Sequence, residues 1–231
     1  VIQSLVYPYW HSSGNYVAFS TNKTNQMFHM KDKNRIEVFD AASEVLVYDV
    51  KNHRVLTDSL LFSKDAFETF PSFSPDGKTL YFSSAKAQQM PKDYRKVKYS
   101  LCSISFDAEQ GRFGKQVDTL FSAEKEGKTA ILPRVSPDGR FLAFTQADYG
   151  NFAIWHKEAD LYLLDLKDGQ VKAIPEVNSV EAESYHAWSS NGRWLVFASR
   201  RDDGLYSRPY IAYIDENGKL IIDTPFVDAM I

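Results

Sequence analysis

A phrase of 13 residues recurs four times in this chain, and no other feature of it restricts the fold as much. The copies run Tyr7 to Phe19, Phe70 to Phe82, Leu132 to Phe144 and Tyr185 to Phe197. Each opens on an aromatic or aliphatic residue, passes through Ser to a Gly turn, and then runs as a hydrophobic strand that closes on Phe. The turn glycines Gly14, Gly77, Gly139 and Gly192 are 63, 62 and 53 residues apart. A period of that size across a whole chain means an array of supersecondary units, each burying its apolar face on a neighbour.

The turns define the unit. Pro-Asp-Gly or Asn-Gly between two apolar runs signals a hairpin, because Gly supplies the positive φ that a tight connection needs. A second pair of strands follows each copy. Val45 to Val50, Leu101 to Phe106, Leu161 to Leu166 and Tyr210 to Ile214 each reach an aspartate (Asp49, Asp107, Asp165, Asp215), then a polar turn such as Lys167-Asp-Gly169 or Glu216-Asn-Gly218. A shorter strand comes next, as in Gln170 to Ile174 or Lys219 to Ile222. Every repeat therefore reads as a four-stranded antiparallel meander.

Meanders repeated at this interval are blades, and arranging blades radially protects their edges together. The expectation is an all-β propeller with blades at about 1–62, 63–124, 125–177 and 178–231, forming one propeller domain or part of one. A sandwich of stacked hairpins is the alternative, but a sandwich does not require a fourfold internal repeat. Four blades can close a ring in principle, but the apolar opening and the close at Phe226 to Ile231 lead us to expect a piece of a longer polypeptide.

The Ser-Pro-Asp-Gly turns carry a family resemblance. Phe73 to Ser84 and Val135 to Thr145 resemble the repeat of the TolB-like β-propellers, a WD-like class of bacterial cell-envelope proteins, and Ala198 to Gly204 followed by Tyr210 to Asp215 resembles the end of that repeat. All four units take part. Two of the turns match fully, whereas the first reads Ser-Ser-Gly-Asn and the fourth Ser-Ser-Asn-Gly. The resemblance implies the propeller fold with a ring of six or seven blades, an envelope partner protein and a periplasmic or otherwise extracytoplasmic place. It implies no reaction, since function sits in sites grafted onto folds.

Composition removes several classes. A net charge of −3 and a pI near 6.0 leave no electrostatic footprint for nucleic acid. No apolar run approaches the roughly 18 residues of a spanning helix. The single Cys102 excludes an intramolecular disulfide, and no Cys-x-x-Cys motif is present. No metal or other cofactor is expected.

Loop length points to a working face. In each meander the first and third turns share one end and are short. The second connections are long and unequal: Thr21 to Ser43, Ala85 to Lys98, Gln146 to Glu158 and Arg200 to Ser207. Binding residues collect on such connections. The candidates are Asn22, Asn25, Gln26, Phe28, His29 and Arg35 from the first, with Tyr94 and Arg95 from the second. The third supplies Asp148, Tyr149, Trp155, His156 and Glu158, and the fourth supplies Arg200, Arg201, Asp202, Asp203, Tyr206 and Arg208. Aromatic and Arg side chains together suit a protein interface, although each could equally pack its own loop. Glu68, Glu183 and His186 are placed just before the first strands of their blades, with Arg200 and Arg201 a blade away.

Catalysis is the other class. Glycosidase or lyase chemistry needs paired carboxylates, and Glu68, Asp148 and Glu183 are the trio on offer, which makes a glycan the alternative ligand. No Gly-x-Ser-x-Gly nucleophile elbow occurs.

Overall fold

The computed structural model describes residues 4–32, 35–215 and 220–223, with the backbone alone for 27–32, 35, 36, 220, 222 and 223. The expected turn Glu216 to Gly218, Lys219, the segment Phe226 to Ile231 and the side chains of Phe28, His29 and Arg35 lie outside what is described.

The four repeats form four antiparallel sheets, each of four strands in chain order. The first holds β1 (Leu5–Trp10), β2 (Tyr16–Asp32), β3 (Arg35–Asp49) and β4 (Arg54–Leu56). The second holds β5 (Ala66–Phe73), β6 (Thr79–Lys86), β7 (Ser100–Asp107) and β8 (Arg112–Phe121). The third holds β9 (Thr129–Val135), β10 (Phe141–Ala147), β11 (Asp160–Asp165) and β12 (Val171–Ala173). The fourth holds β13 (Glu183–Trp188), β14 (Trp194–Ser199), β15 (Arg208–Ile214) and β16 (Leu220–Asp223). This is a β-propeller fold. The chain separates into two compact units, residues 1–133 with 148–152 and residues 134–147 with 153–231.

Unit one packs alternate residues of its strands into a buried cluster that includes Ala18, Val47, Phe73, Leu80, Phe82, Cys102, Ile104 and Phe106. Unit two does the same with Ala143, Leu161, Val177, Leu195, Phe197, Tyr210 and Ala212. The Phe that closes each phrase is among the most buried side chains: Phe19, Phe82, Phe144 and Phe197 are all 2% exposed or less. Fully burying a side chain of this type stabilises by about 1.5–3 kcal/mol.

The hairpin turns have the expected glycine geometry, with φ of 71° at Gly14, 73° at Gly77, 75° at Gly139 and 68° at Gly192. Serine is the other half of the device. Ser74 Oγ donates to Asp76 Oδ1 at 2.5 Å and accepts from the Thr79 amide at 3.0 Å. Ser136 with Asp138 and Ser189 with Asn191 repeat the pattern. In the first repeat His11 takes the serine's place. Its Nδ1 accepts from the Ser13 amide at 3.1 Å, so Nε2–H is left to donate to the Gly77 carbonyl at 3.0 Å. The substitution thereby ties two turns of unit one together.

A second recurrent device lies seven residues before each glycine. Tyr7, Phe70, Leu132 and Tyr185 have φ between 45° and 58°, a region that side-chain-bearing residues rarely adopt. In β5 the pairing steps from Thr69↔Ser83 to Ser72↔Tyr81, so Phe70 and Pro71 together oppose Phe82. The same bulge places Tyr7 and Pro8 opposite Phe19, and Tyr185 and His186 opposite Phe197. Proline fits the bulge because the extra residue there has no ladder bond to lose.

The first long connection corrects the sequence reading. Thr21 to Ser43 is not an open loop, because β2 and β3 continue as a paired hairpin from Asn22↔Ser43 through Asn25↔Phe39 to Asp32↔Arg35. The other three connections are irregular, with single helical turns at Tyr94–Lys96 and Ala153–Trp155.

Candidate functional site

In unit two the β14–β15 connection carries the largest group of predicted residues. Asp203 opens it. Its carboxylate accepts from the backbone amides of Leu205 (2.8 Å) and Tyr206 (2.9 Å) and from Arg208 Nη2 (2.9 Å). The amide of Tyr206 foremost, then Arg208, hold this carboxyl down at about 2. Asp202 accepts from the Tyr210 hydroxyl at 2.6 Å and pairs with Arg208 Nη1 at 3.3 Å. Burial, then the hydrogen bond to Asp202, push the Tyr210 phenol up to about 12, so it stays protonated as the donor. The Arg208 guanidinium also lies 5.8 Å from the centre of the Tyr206 ring.

Arg200 and Arg201 differ from the expectation. They sit in the same sheet as Glu183 and His186, because Glu183 pairs with Ser199 in the β13–β14 ladder. Arg200 is buried rather than a rim charge: its guanidinium covers the Trp155 ring at 4.5 Å and donates to the Leu205 carbonyl at 2.7 Å. Arg201 meets Glu183 at 3.3 Å, donates to the Val177 carbonyl and stacks 4.5 Å from the Tyr210 ring. Glu183 is fully buried and also accepts from the Ser199 hydroxyl and from the hydroxyl and amide of Ser179. Glu183 and His186 lie within β13, and Glu68 within β5, rather than ahead of these strands.

His156 is buried, with Nδ1 3.7 Å from the half-buried Glu158. The predicted residue His156 is therefore turned inward rather than presented on the loop surface. Above this framework, apolar side chains stand in solvent: Val180 is 85% exposed, Leu205 68% and Tyr206 67%. The two loops that carry them touch, since a Cβ on Gly204 would lie 3.1 Å from the Glu181 carboxylate.

Unit one assembles a different set. Tyr149 is buried, donates to Glu37 at 2.8 Å and meets Tyr94 edge to face at 5.7 Å, with Arg95 5.7 Å above the Tyr149 ring. Asp40 accepts from Asn22 Nδ2 (2.6 Å), Thr24 Oγ1 (2.7 Å) and Asn151 Nδ2. Burial raises the Asp40 carboxyl against these hydrogen bonds. Asp148 pairs at the surface with Lys128 at 2.5 Å. Glu68 is buried, and burial, then the Glu44 carboxylate, push it up to about 7. Sequence reasoning missed Asp40, Glu37 and Asn151, whose polar neighbours read as loop. It also missed a visible signal: Glu68 and Glu183 both stand nine residues before a turn glycine.

No protein-family model matches the chain. Dipeptidyl-peptidase 5 of Porphyromonas gingivalis is 21% identical over 210 residues, covering 80% of this chain, which spans about 29% of that protein's length. Among solved structures, a protein assigned as TolB from Agrobacterium tumefaciens superposes with a TM-score of 0.55 at 15% identity, over 95% of this chain and 80% of that one. The puromycin hydrolase S511A mutant complexed with PGG gives 0.54 at 15% identity, over 95% of this chain and 30% of that one. Oligogalacturonate lyase in complex with manganese gives 0.53 at 15% identity, over 93% and 50% respectively. At such identities the likeness carries the fold, a TolB-like β-propeller, and nothing of the chemistry.

Proposed function

We propose that this chain is a protein-binding propeller module of a bacterial envelope protein, and that its partner docks on the β14–β15 connection of unit two. The observation that carries the reading is the exposed trio Val180, Leu205 and Tyr206 on a scaffold whose charges are already satisfied. Exposed aromatic and aliphatic side chains on a backbone already pinned by the Asp203 carboxylate make good anchors. Arg208, Asp202 and Asp203 would form the polar rim, with Trp155 beneath Arg200. The resemblance to TolB-like repeats supports an extracytoplasmic place. No helix among the described residues is long and apolar enough to cross a membrane.

The test is a photo-crosslinking residue at position 206, compared with one at the exposed Val171. One discrete adduct from position 206, lost when Leu205 becomes Ser, is expected. Equal labelling from both positions would overturn the reading. Arg201 is a poor probe, because reversing its charge breaks the Glu183 pair and costs stability first.

The alignment with Dipeptidyl-peptidase 5 favours a second reading, in which the chain is the propeller portion of a longer peptidase-like polypeptide. The glycan-active alternative has less behind it. Of its trio, Asp148 pairs with Lys128, and Glu183 is filled by Arg201, Ser179 and Ser199.

A further inference from the structure

Glutamate holds the same place in two of the four repeats, and the two copies end differently. Glu183 pairs across to Ser199, and Glu68 pairs across to Ser84, at matching positions of their sheets. Around Glu183 the repeat supplies a guanidinium, Arg201, two residues beyond that serine, and a donor, Ser179, four residues before the glutamate. Around Glu68 the corresponding residues are Lys86 and Lys64, both exposed. Glu68 itself is 3% exposed; its carboxyl accepts from the Ser84 hydroxyl and from its own backbone amide, and its Oε2 has no hydrogen-bond partner among the described residues. Its charged neighbour is a second acid, Glu44, half-buried on β3, a strand that packs against β5.

We propose that Glu68, with Glu44 beside it, is a receptor for one organic cation, an ammonium or guanidinium group supplied from outside the chain. A buried acid without a counter-charge either keeps its proton or takes up a cation together with hydrogen bonds, and a bound cation displaces that proton. Repeat four shows such a cation built in. Arg201 occupies the space beside Glu183 and stacks on Tyr210, which pairs with Phe197 across the β14–β15 ladder. In repeat two the residue paired with Phe82 is Cys102, far smaller than tyrosine, so the place of the stacking ring is also given up. A metal ion suits the site less well, since among the described residues no group of three His, Cys, Asp or Glu is placed to hold one. The inference uses none of the residues of the proposed protein-docking surface.

The experiment is calorimetric titration of the 231-residue protein with n-butylguanidinium and n-butylammonium, and with n-butylurea as the neutral isostere. We expect saturable binding of the cations with a Kd on the order of 1 mM, no binding of the urea, and at least tenfold weaker binding to Glu68→Gln. Lys86→Arg offers the chain its own guanidinium at the position of Arg201 and should abolish cation binding while leaving the fold intact, which decides the matter even if Glu68→Gln does not fold. A blocked Gly-Gly-Arg-Gly-Gly peptide separates the two sources. Binding at least tenfold tighter than n-butylguanidinium identifies a partner's side chain as the occupant, and weaker binding identifies a free small cation. Absence of saturable binding, equal binding to Glu68→Gln, or binding undiminished in Lys86→Arg would overturn the proposal, whatever the crosslinking at position 206 returns.

Discussion

At the scale of single residues, the turn glycines separate two costs that are usually mixed. Gly139 has φ of 75° with open space around the position of a Cβ, whereas at Gly77 a Cβ would fall 2.2 Å from His11 Nε2. Gly139→Val should therefore lose more than about 1 kcal/mol in urea titration through backbone strain alone. Gly77→Ala should lose more than Gly139→Ala, because His11 must leave its bond to the Gly77 carbonyl. Equal losses for the two alanine variants would show that His11 swings away freely. Serine and glycine at these turns were plain in the sequence, and so was the buried Phe that closes each phrase. The role of His11 was not, because its partner carbonyl is 66 positions away and no local pattern announces it.

Among the elements, the β2–β3 hairpin is where sequence and structure part most. Thr21 to Gln26 reads as loop because its residues are polar on both faces, and strand patterning depends on one face being apolar. The strands persist because tertiary partners satisfy those polar groups: Asp40 takes Asn22, Thr24 and Asn151, while Glu37 takes Tyr149. The hairpin and the connection at 148–152 should accordingly open together. In hydrogen exchange, Asp40→Ala should lower amide protection in both segments of unit one and leave β14 and β15 unchanged. Loss confined to residues 36–40 would mean that Asn151 does not transmit the latch. Arg200 and Arg201 illustrate the same limit, since adjacent arginines look alike in a sequence, and only the fold sends one to Trp155 and the other to Glu183.

For the whole molecule, the fourfold period made the architecture legible, whereas the distribution of buried charge was not, because burial of an acid depends on strands distant in sequence. That charge sets how stability follows pH. Glu68 titrates near 4.5 in an unfolded chain and at about 7 in the folded one, raised by burial and then by Glu44. Between those values the folded state holds a proton that the unfolded state gives up, so this stabilising contribution is full below about 4.5 and is lost as pH rises through about 7. Thermal denaturation from pH 5 to pH 8 should show a fall in Tm that Glu68→Gln reduces. An unchanged profile would place the titration elsewhere.

The four positive-φ positions ahead of the turns have a consequence for chemistry on this chain. Tyr7, Phe70, Leu132 and Tyr185 occupy the backbone region that suits a mirror-image amino acid. At the half-exposed Tyr185 a D-residue installed by ligation would sit without the strain its L-counterpart bears, giving a protease-resistant junction inside a strand. The repeat thus marks, once in each of its four copies, where heterochiral synthesis can enter the fold.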